Sequence, residues 1–165
     1  MELKSLEAEV VALGDALRRR GWRMAAAESC TGGLIAAACT SVAGSSDWFE
    51  RGFVSYSNRA KTEMLGVDAA LIAAQGAVSE AVARAMAEGA LRGAGVELAV
   101  AVTGIAGPGG ATPGKPVGTV WLALAVRTAR GQRIEAERLQ LPGDRAAVRE
   151  QTLRAAIERL RTAAA

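Results

Sequence analysis

The stretch Ala25-Ala26-Ala27-Glu28-Ser29-Cys30-Thr31-Gly32-Gly33 decides the predicted fold. Small apolar residues are followed by a polar turn, two glycines and an apolar run over 34–41, which predicts a strand that gives way to a helix beside Ser29. At such a junction the N–H groups of the first helical turn face bound ligands and favour negative charge. The stretch therefore predicts a ligand site at Ser29; the alternative is that Ser29 or Thr31 only caps the helix.

The apolar residues in the rest of the chain alternate between the 3.6-residue period of a helix and the two-residue period of a strand. We predict helices over 3–20 and 34–41, a helix that carries Lys61 and begins at an Asn58 cap, a short helix over 68–74, one from a Ser79 cap to 91, and one from Asp144. Strands are predicted over 22–27, 49–57, 97–102, 117–126 and 132–141, the last two as a hairpin across 128–131. This order predicts an α/β fold, a three-layer α/β/α single domain over residues 1–165 with a mixed sheet of about five strands.

The composition excludes several classes of active site. The chain has no histidine, which excludes a Ser-His-Asp triad, a Cys-His pair and any histidine-containing metal site. Cys30 and Cys39 are nine residues apart, a spacing typical of neither a metal site nor a thioredoxin-like motif, so we expect free thiols and no metal.

The charge and hydropathy patterns restrict the partners. The net charge is +3 and the basic residues form no sustained stripe, so we expect no nucleic-acid partner. No apolar run approaches the about 18 residues that a membrane span needs, and residues 1–4 lack the pattern of a signal peptide. We therefore expect a cytoplasmic protein without a membrane partner.

Lysine is scarce, with 3 lysines among the 20 basic residues. A retained lysine suggests a function that guanidinium cannot serve, such as losing a proton. Ser29 as nucleophile and Lys61, neutralised by burial, as base is the pairing that remains without histidine. Tyr56 and Lys61 are one residue too far apart for the Tyr-x-x-x-Lys pair of short-chain dehydrogenases, and the Ser29 turn lacks G-x-G-x-x-G, so no dinucleotide cofactor is expected.

A loop rich in glycine over 103–116 holds three of the four prolines. The segment from Gly109 to Lys115 has the G-x-x-x-x-G-K spacing of a P-loop, but Pro116 stands where the magnesium-binding Ser or Thr belongs. The segment after it also predicts a strand rather than a helix. The loop is expected either to offer backbone N–H groups to a phosphate or carboxylate, or to be a flexible excursion.

Six phrases in this order resemble the C-terminal domain of CinA, the nicotinamide-nucleotide amidohydrolase (PncC-type) family. They are residues 28–33 (ESCTGG), 56–67 (YSN, then K and LGV), 76–79 (GAVS), 103–108 (TGIAGP), 115–119 (KPVGT) and 143–145 (GDR). The resemblance covers nearly the whole chain. It does not include the N-terminal domain of full-length CinA, so no pyrophosphatase activity is expected.

The resemblance implies hydrolysis of the carboxamide of nicotinamide mononucleotide, with Ser29 attacking, Lys61 taking the proton and Tyr56 bonding Lys61 or the substrate. N–H groups between Thr31 and Gly33 would stabilise the oxyanion. The substrate contacts implied are Glu28, Cys30, Thr31, Gly32, Gly33, Asn58, Thr103, Gly104, Gly107, Gly109 and Arg145.

No cofactor is expected, because amide hydrolysis can proceed by covalent catalysis alone. The expected partner is a small nucleotide substrate, and a homo-oligomer is expected from family habit and base rates. Two alternatives remain open at this point. One is a non-catalytic nucleotide-binding or regulatory module linked to competence and damage response, and the other is a different amide substrate such as the riboside or the dinucleotide.

Overall fold

A computed structural model of the protein describes residues 3–165, with side chains from residue 4 onward. The helices within this range are α1 (Glu7–Arg20), α2 (Leu34–Thr40), α3 (Asn58–Leu65), α4 (Ala69–Gln75), α5 (Glu80–Ala94) and α6 (Arg145–Ala164), with short 3₁₀ turns at Leu3–Leu6 and Ser45–Asp47. The strands are β1 (Met24–Glu28), β2 (Phe49–Val54), β3 (Leu98–Gly104), β4 (Thr119–Thr128) and β5 (Gly131–Gln140).

These strands form a mixed sheet in the order β2-β1-β3-β4-β5. The interior strand β1 is parallel to both of its neighbours, whereas β4 is antiparallel to β3 and to β5. β4 and β5 form the predicted hairpin, in which Thr128 pairs with Gly131. The predicted α/β class and the five-stranded mixed sheet are confirmed.

Helices cover the sheet on both faces. Along β1 the side chains alternate between the faces, as they must in a strand. Met24 and Ala26 join a core with residues of α1, α2 and α6, while Ala25 and Ala27 join a second core with residues of α3, α4 and α5. Every residue of β1 is fully buried. Three consecutive alanines at the centre of the sheet leave little side chain there, so the helices pack close to the strand.

The carboxyl ends of β1, β2 and β3 lie at the same edge of the sheet because the three strands run parallel. Glu28 of β1 is in register with Val54 of β2 and with Val102 of β3. The Ser29 turn, the β2–α3 connection and the glycine-rich loop therefore all leave the sheet at this edge, which is where ligands bind in open α/β sheets.

Several predicted strand boundaries were wrong; β3, β4 and β5 are each displaced by one or two residues at both ends, and β1 and β2 differ as follows. β1 begins at Met24 rather than at residue 22, because Gly21 ends α1 in the left-handed conformation and Trp22 lies under the Arg20 guanidinium, 4.5 Å from it. β2 ends at Val54 rather than at residue 57.

The predicted cap of α3 was also wrong by one residue. Ser57 is the N-cap: its backbone is extended, and its hydroxyl accepts the N–H of Ala60 at 3.0 Å. Asn58 is instead the first residue of the helix. The cap predicted for α5, Ser79, accepts an N–H from the first turn, and Asp144, the predicted start of α6, is its N-cap and accepts an N–H in the same way. Across residues 3–165, no helix combines the length and apolarity that a membrane crossing requires.

Candidate active site

Ser29 occupies the tight turn that joins β1 to α2. Its own N–H donates to the carbonyl of Val102 in β3 at 3.1 Å, and its carbonyl accepts the N–H of Gly32 at 3.0 Å. Gly32 and Gly33 have φ angles of 58° and 104°, a region open mainly to glycine. The turn thus fixes Ser29 at the carboxyl edge of the sheet, with 8% of the residue exposed.

Lys61 reaches Ser29 from α3, across 32 residues of sequence. Its Nζ lies 3.0 Å from the Ser29 Oγ and contacts two backbone carbonyls, those of Ser55 at 3.0 Å and Tyr56 at 3.1 Å. The residue is 1% exposed. The Nζ atom therefore has three close oxygen neighbours and almost no contact with solvent.

The three oxygen contacts of Lys61 can be made by an ammonium, which donates to all of them, or by a neutral amine. A carbonyl can only accept, so the carbonyls of Ser55 and Tyr56 take the two N–H groups of an uncharged Nζ, and its lone pair remains for the Ser29 hydroxyl proton. Burial lowers the pKa of Lys61 below its ordinary value because the charged form loses its hydration. The arrangement can therefore activate a serine hydroxyl without histidine.

The Glu28 side chain lies inside the protein, where it bonds to the turn and to the start of α2. The residue is fully buried, and its carboxylate accepts hydrogen bonds from the Thr31 hydroxyl at 2.7 Å and from the N–H groups of Ile35 at 2.8 Å and Ala36 at 3.0 Å. All three donors belong to the turn or to the start of α2. The Glu28 carboxylate thus anchors the helix that follows Ser29, and its three hydrogen bonds lie within the protein, so its predicted contact with substrate stays a prediction.

The turn also provides free donors. Among the described residues, the N–H groups of Cys30, Thr31 and Gly33 have no hydrogen-bond partner, whereas those of Ser29 and Gly32 are used within the protein. Unpaired N–H groups directly after a nucleophile are the usual source of an oxyanion hole. The turn can therefore stabilise negative charge on a ligand atom held beside Ser29.

Cys30 is next to Ser29 in sequence but is buried, with 6% exposed. Burial raises the pKa of its thiol to about 11. A thiol with such a pKa is a poor nucleophile at neutral pH, because the thiolate is the reactive form. Cys39 is also a buried free thiol, as predicted, with its pKa raised to about 12 by burial.

Tyr56 and Arg145 extend the site away from Ser29. The Tyr56 hydroxyl accepts a hydrogen bond from the Arg145 guanidinium at 3.1 Å, and Arg145 also donates to the carbonyl of Gly107 at 2.9 Å. Tyr56 was predicted to bond either Lys61 or the substrate. It does contact Lys61, but through its backbone carbonyl and not through its hydroxyl. The side chains of Tyr56 and Arg145 thus tie the β2–α3 connection and the glycine-rich loop to the start of α6.

A cavity of about 550 Å³ lies between the glycine-rich loop and the start of α6. Its lining is Ala106, Pro108, Val117, Gly143, Asp144, Arg145, Ala146 and Arg149. Two guanidinium groups, from Arg145 and Arg149, lie on this lining, so the cavity suits an anionic ligand.

Arg149 was not predicted from the sequence. Its Nε donates to the carbonyl of Cys30 at 3.1 Å and an Nη donates to the carbonyl of Thr31 at 3.1 Å, so it joins the cavity to the Ser29 turn. A possible signal is its spacing of four residues from Arg145, which places both arginines on one face of α6.

The other predicted contacts lie at different places. Asn58 is exposed and lines a separate hollow of about 220 Å³ between α3 and α4. Thr103 is buried, and its hydroxyl donates to the carbonyl of Ala77 at 2.9 Å. Gly104 leaves no room for a side chain, since a Cβ there would lie 2.6 Å from the Val120 Cγ2, whereas Gly109 faces open space. Asn58 and Thr103 thus direct their side chains away from the Ser29 site.

This chain matches one family model, and it is similar along most of its length to named bacterial proteins. The family model of the CinA C-terminal domain matches residues 4–164. A relative from Enterobacter agglomerans named nicotinamide-nucleotide amidohydrolase PncC is 51% identical over 163 residues, covering 99% of this chain and 96% of the relative. A CinA-like protein from Syntrophobacter fumaroxidans is 54% identical over 145 residues, which are 88% of this chain but 33% of that protein. This chain thus spans about a third of the length of one relative and nearly all of the other.

Solved structures agree with the sequence comparison. The crystal structure of the competence/damage inducible protein CihA from Agrobacterium tumefaciens superposes with a TM-score of 0.90 at 43% identity, covering 96% of this chain and 94% of that chain.

Proposed function

The chain belongs to the CinA C-terminal domain family, and from this premise we propose that it hydrolyses the carboxamide of nicotinamide mononucleotide to nicotinic acid mononucleotide and ammonia. The observation that carries the proposal is the buried contact of 3.0 Å between the Lys61 Nζ and the Ser29 Oγ. The name of the Enterobacter agglomerans relative, which is nearly as long as this chain, supports the same substrate.

In the first half of the reaction, Ser29 forms a covalent intermediate. The lone pair of Lys61 Nζ takes the hydroxyl proton while the Ser29 Oγ bonds to the carboxamide carbon, whose oxygen becomes an oxyanion. The tetrahedral intermediate then collapses, the C–N bond breaks, and Lys61 returns the proton to the leaving ammonia. The products of this half are an ester of Ser29 and free ammonia.

The second half uses the same groups with water. Lys61 takes a proton from a water molecule that attacks the ester, and it returns this proton to the Ser29 oxygen when the C–O bond breaks. The released acid is the nicotinic acid nucleotide. The carbonyls of Ser55 and Tyr56 hold the amine in place through both halves, since each fixes one N–H.

The unpaired N–H groups of Cys30, Thr31 and Gly33 are our candidates for the oxyanion hole. A single well-placed donor of this kind typically contributes about 3–4 kcal/mol to the transition state. Because the glycines leave the backbone uncovered, the carboxamide oxygen can approach these donors closely.

The remainder of the nucleotide fits the cavity beside Arg145. Its volume of about 550 Å³ lies within the usual range for small-molecule sites. We assign the 5′-phosphate to Arg145 and the ribose to the adjacent glycine-rich loop, because a guanidinium group suits phosphate oxygens. The start of α6 adds the positive end of a 20-residue helix on the same side.

The proposal is tested by incubating the purified protein with nicotinamide mononucleotide and measuring ammonia. The riboside and the dinucleotide serve as comparison substrates. We expect release from the mononucleotide, with slower release from the riboside because it lacks the phosphate. Binding of the mononucleotide without ammonia release would favour the non-catalytic module instead.

A further inference from the structure

Arg149 holds two consecutive carbonyls of the turn that carries the nucleophile. Its Nε contacts the Cys30 oxygen and an Nη contacts the Thr31 oxygen, each at 3.1 Å. We propose that Arg149 is a positioning residue that orients the Thr31 N–H toward the oxyanion. This inference rests on the proposed function, since it concerns how that reaction is stabilised.

The planarity of the peptide unit couples the Cys30 carbonyl to the Thr31 N–H. In a trans peptide the C=O and N–H point in opposite directions within one plane. The carbonyl of Cys30 shares its plane with the N–H of Thr31. A guanidinium that fixes this carbonyl toward α6 therefore directs the Thr31 N–H to the opposite side of the turn.

This peptide is also the one most free to rotate. Ser29 to Gly32 form a four-residue turn closed by the bond between the Gly32 N–H and the Ser29 carbonyl. The central peptide of such a turn, here Cys30–Thr31, takes opposite orientations in the two common turn types. A full flip would require a positive φ at Thr31, which is unfavourable for a β-branched residue. A partial rotation is enough, however, because hydrogen bonds weaken steeply as they bend.

The turn is held from its other side by a different group. The Glu28 carboxylate binds the Thr31 hydroxyl at 2.7 Å and the first N–H groups of α2. None of these bonds involves the Cys30–Thr31 peptide itself. Of the hydrogen bonds in the described chain, the one from Arg149 Nε to the Cys30 carbonyl is the one that holds the plane of this peptide, and the Nη bond to the Thr31 carbonyl holds the next peptide.

The positive charge of Arg149 adds a second effect. A cation bonded to a carbonyl draws electron density from the peptide and makes its N–H a stronger donor. Two of the guanidinium nitrogens are already committed to the carbonyls of Cys30 and Thr31, which limits the capacity of this side chain to bind a phosphate in the cavity. Arg145 and Arg149 thus have different assignments, one for the substrate and one for the turn.

The test compares Arg149→Met and Arg149→Lys with Arg154→Met. Arg154 is an arginine of the same helix that pairs with Glu150. For Arg149→Met we expect kcat to fall by about 10²-fold, the effect of losing one oxyanion donor, with KM for nicotinamide mononucleotide changed less than twofold. Arg149→Lys should retain part of the activity, because an ammonium can hold one carbonyl. Arg154→Met should match the wild type.

Two results would overturn the proposal. One is an unchanged kcat in Arg149→Met; the other is an increase of KM with kcat unchanged, which would make Arg149 a substrate contact. The pH midpoint of activity should not move, since Lys61 is untouched. Melting curves identify a variant that fails to fold, in which case Arg149→Lys decides between the outcomes.

Amide hydrogen exchange provides a readout that does not depend on turnover. Exchange at Thr31, followed by NMR, should change in Arg149→Met and not in Arg154→Met. If the wild type releases no ammonia, the proposed function fails, while this measurement still decides whether Arg149 fixes the turn. Unaltered exchange and an unaltered Thr31 amide signal in Arg149→Met would contradict the positioning role.

Discussion

Gly89 of α5 packs directly against the backbone of Leu65, the last residue of α3. A Cβ at position 89 would lie 2.0 Å from the Leu65 carbonyl oxygen, far inside any normal contact. The absence of a side chain at Gly89 therefore sets how closely α5 approaches the helix that carries Lys61. The packing of α5 against α3 therefore helps to fix the position of Lys61, the proposed base.

Gly89→Ala should accordingly lower both stability and activity. We expect a loss of about 2 kcal/mol in the free energy of unfolding, as is typical of overpacking, and a lower kcat because α3 must shift. Urea unfolding and the ammonia assay measure the two effects.

Gly93→Ala is the matched control, because it lies one turn further along α5 and its Cβ would meet the Phe53 ring at an ordinary 3.6 Å. Alanine is favoured over glycine within a helix by about 1 kcal/mol, so Gly93→Ala should be neutral or stabilising. If Gly89→Ala behaved like Gly93→Ala, the close packing at Leu65 would not control α3.

Ser29→Ala should abolish ammonia release while leaving nucleotide binding largely intact. Removal of a nucleophile that acts together with its base costs about 10⁴-fold or more in kcat. Calorimetric titration with nicotinamide mononucleotide measures binding, and Ser46→Ala, at an exposed serine, is the control. Substantial turnover in Ser29→Ala would rule out the covalent route.

Lys61→Arg should be nearly as damaging, although it keeps the positive charge. A guanidinium stays protonated at any accessible pH and cannot accept the proton of Ser29. We expect a loss of at least about 10³-fold in kcat/KM, measured by ammonia release. Circular dichroism of the variant provides the folding control. Full activity in this variant would defeat the assignment of Lys61 as the base.

The activity should rise with pH through the lowered pKa of Lys61, since only the neutral amine accepts a proton. Its midpoint should lie below the ordinary lysine value of 10.5. A profile of kcat/KM against pH measures this limb, and circular dichroism at each pH checks the fold. A profile that is flat where the fold is intact would exclude titration of this amine.

The lowered pKa of Lys61 also makes the free energy of unfolding depend on pH. Between the lowered pKa of folded Lys61 and about 10.5, the unfolded chain binds more protons, so the free energy of unfolding should rise with pH in this window. Below the folded pKa the penalty for burying a charge is fully present. Lys61→Met should lack this pH-dependent component.

Ser55→Ala tests a different buried hydroxyl. The Ser55 Oγ is buried without a hydrogen-bond partner in the described chain, although the backbone carbonyl of Ser55 accepts a bond from Lys61. Removing an unsatisfied polar group leaves that carbonyl contact in place, so we expect unchanged kcat and a stability equal to or up to about 1 kcal/mol above the wild type. A large loss of activity would show that the hydroxyl takes part in the reaction.

The sequence was sufficient for the fold class and for the local setting of Ser29. The period of the apolar residues marks each helix and strand, and the two glycines mark the turn. The proposed pairing of Ser29 with Lys61 came from elimination, because a chain without histidine leaves few bases. The 3.0 Å distance between Ser29 and Lys61 could not follow from any local pattern, since it depends on the parallel pairing of β1 with β2.

The predictions failed where competing residues have similar local propensities. Ser57 and Asn58 are both good caps, and only the extended backbone at Ser57 decides between them. Arg149 lies in a helix that contains several other arginines, and its role depends on how α6 packs against the Ser29 turn. The hydrogen bonds of Glu28 to the first turn of α2 could not be predicted either, because they require knowing where that helix begins.

The buried thiol of Cys30 has a consequence for the conditions under which the protein can work. With its pKa raised to about 11, roughly one molecule in 10⁴ carries a thiolate at pH 7. Oxidants and alkylating agents that poison cysteine hydrolases thus find almost no reactive sulfur beside the nucleophile. A serine nucleophile flanked by so inert a cysteine should need no reductant to stay active.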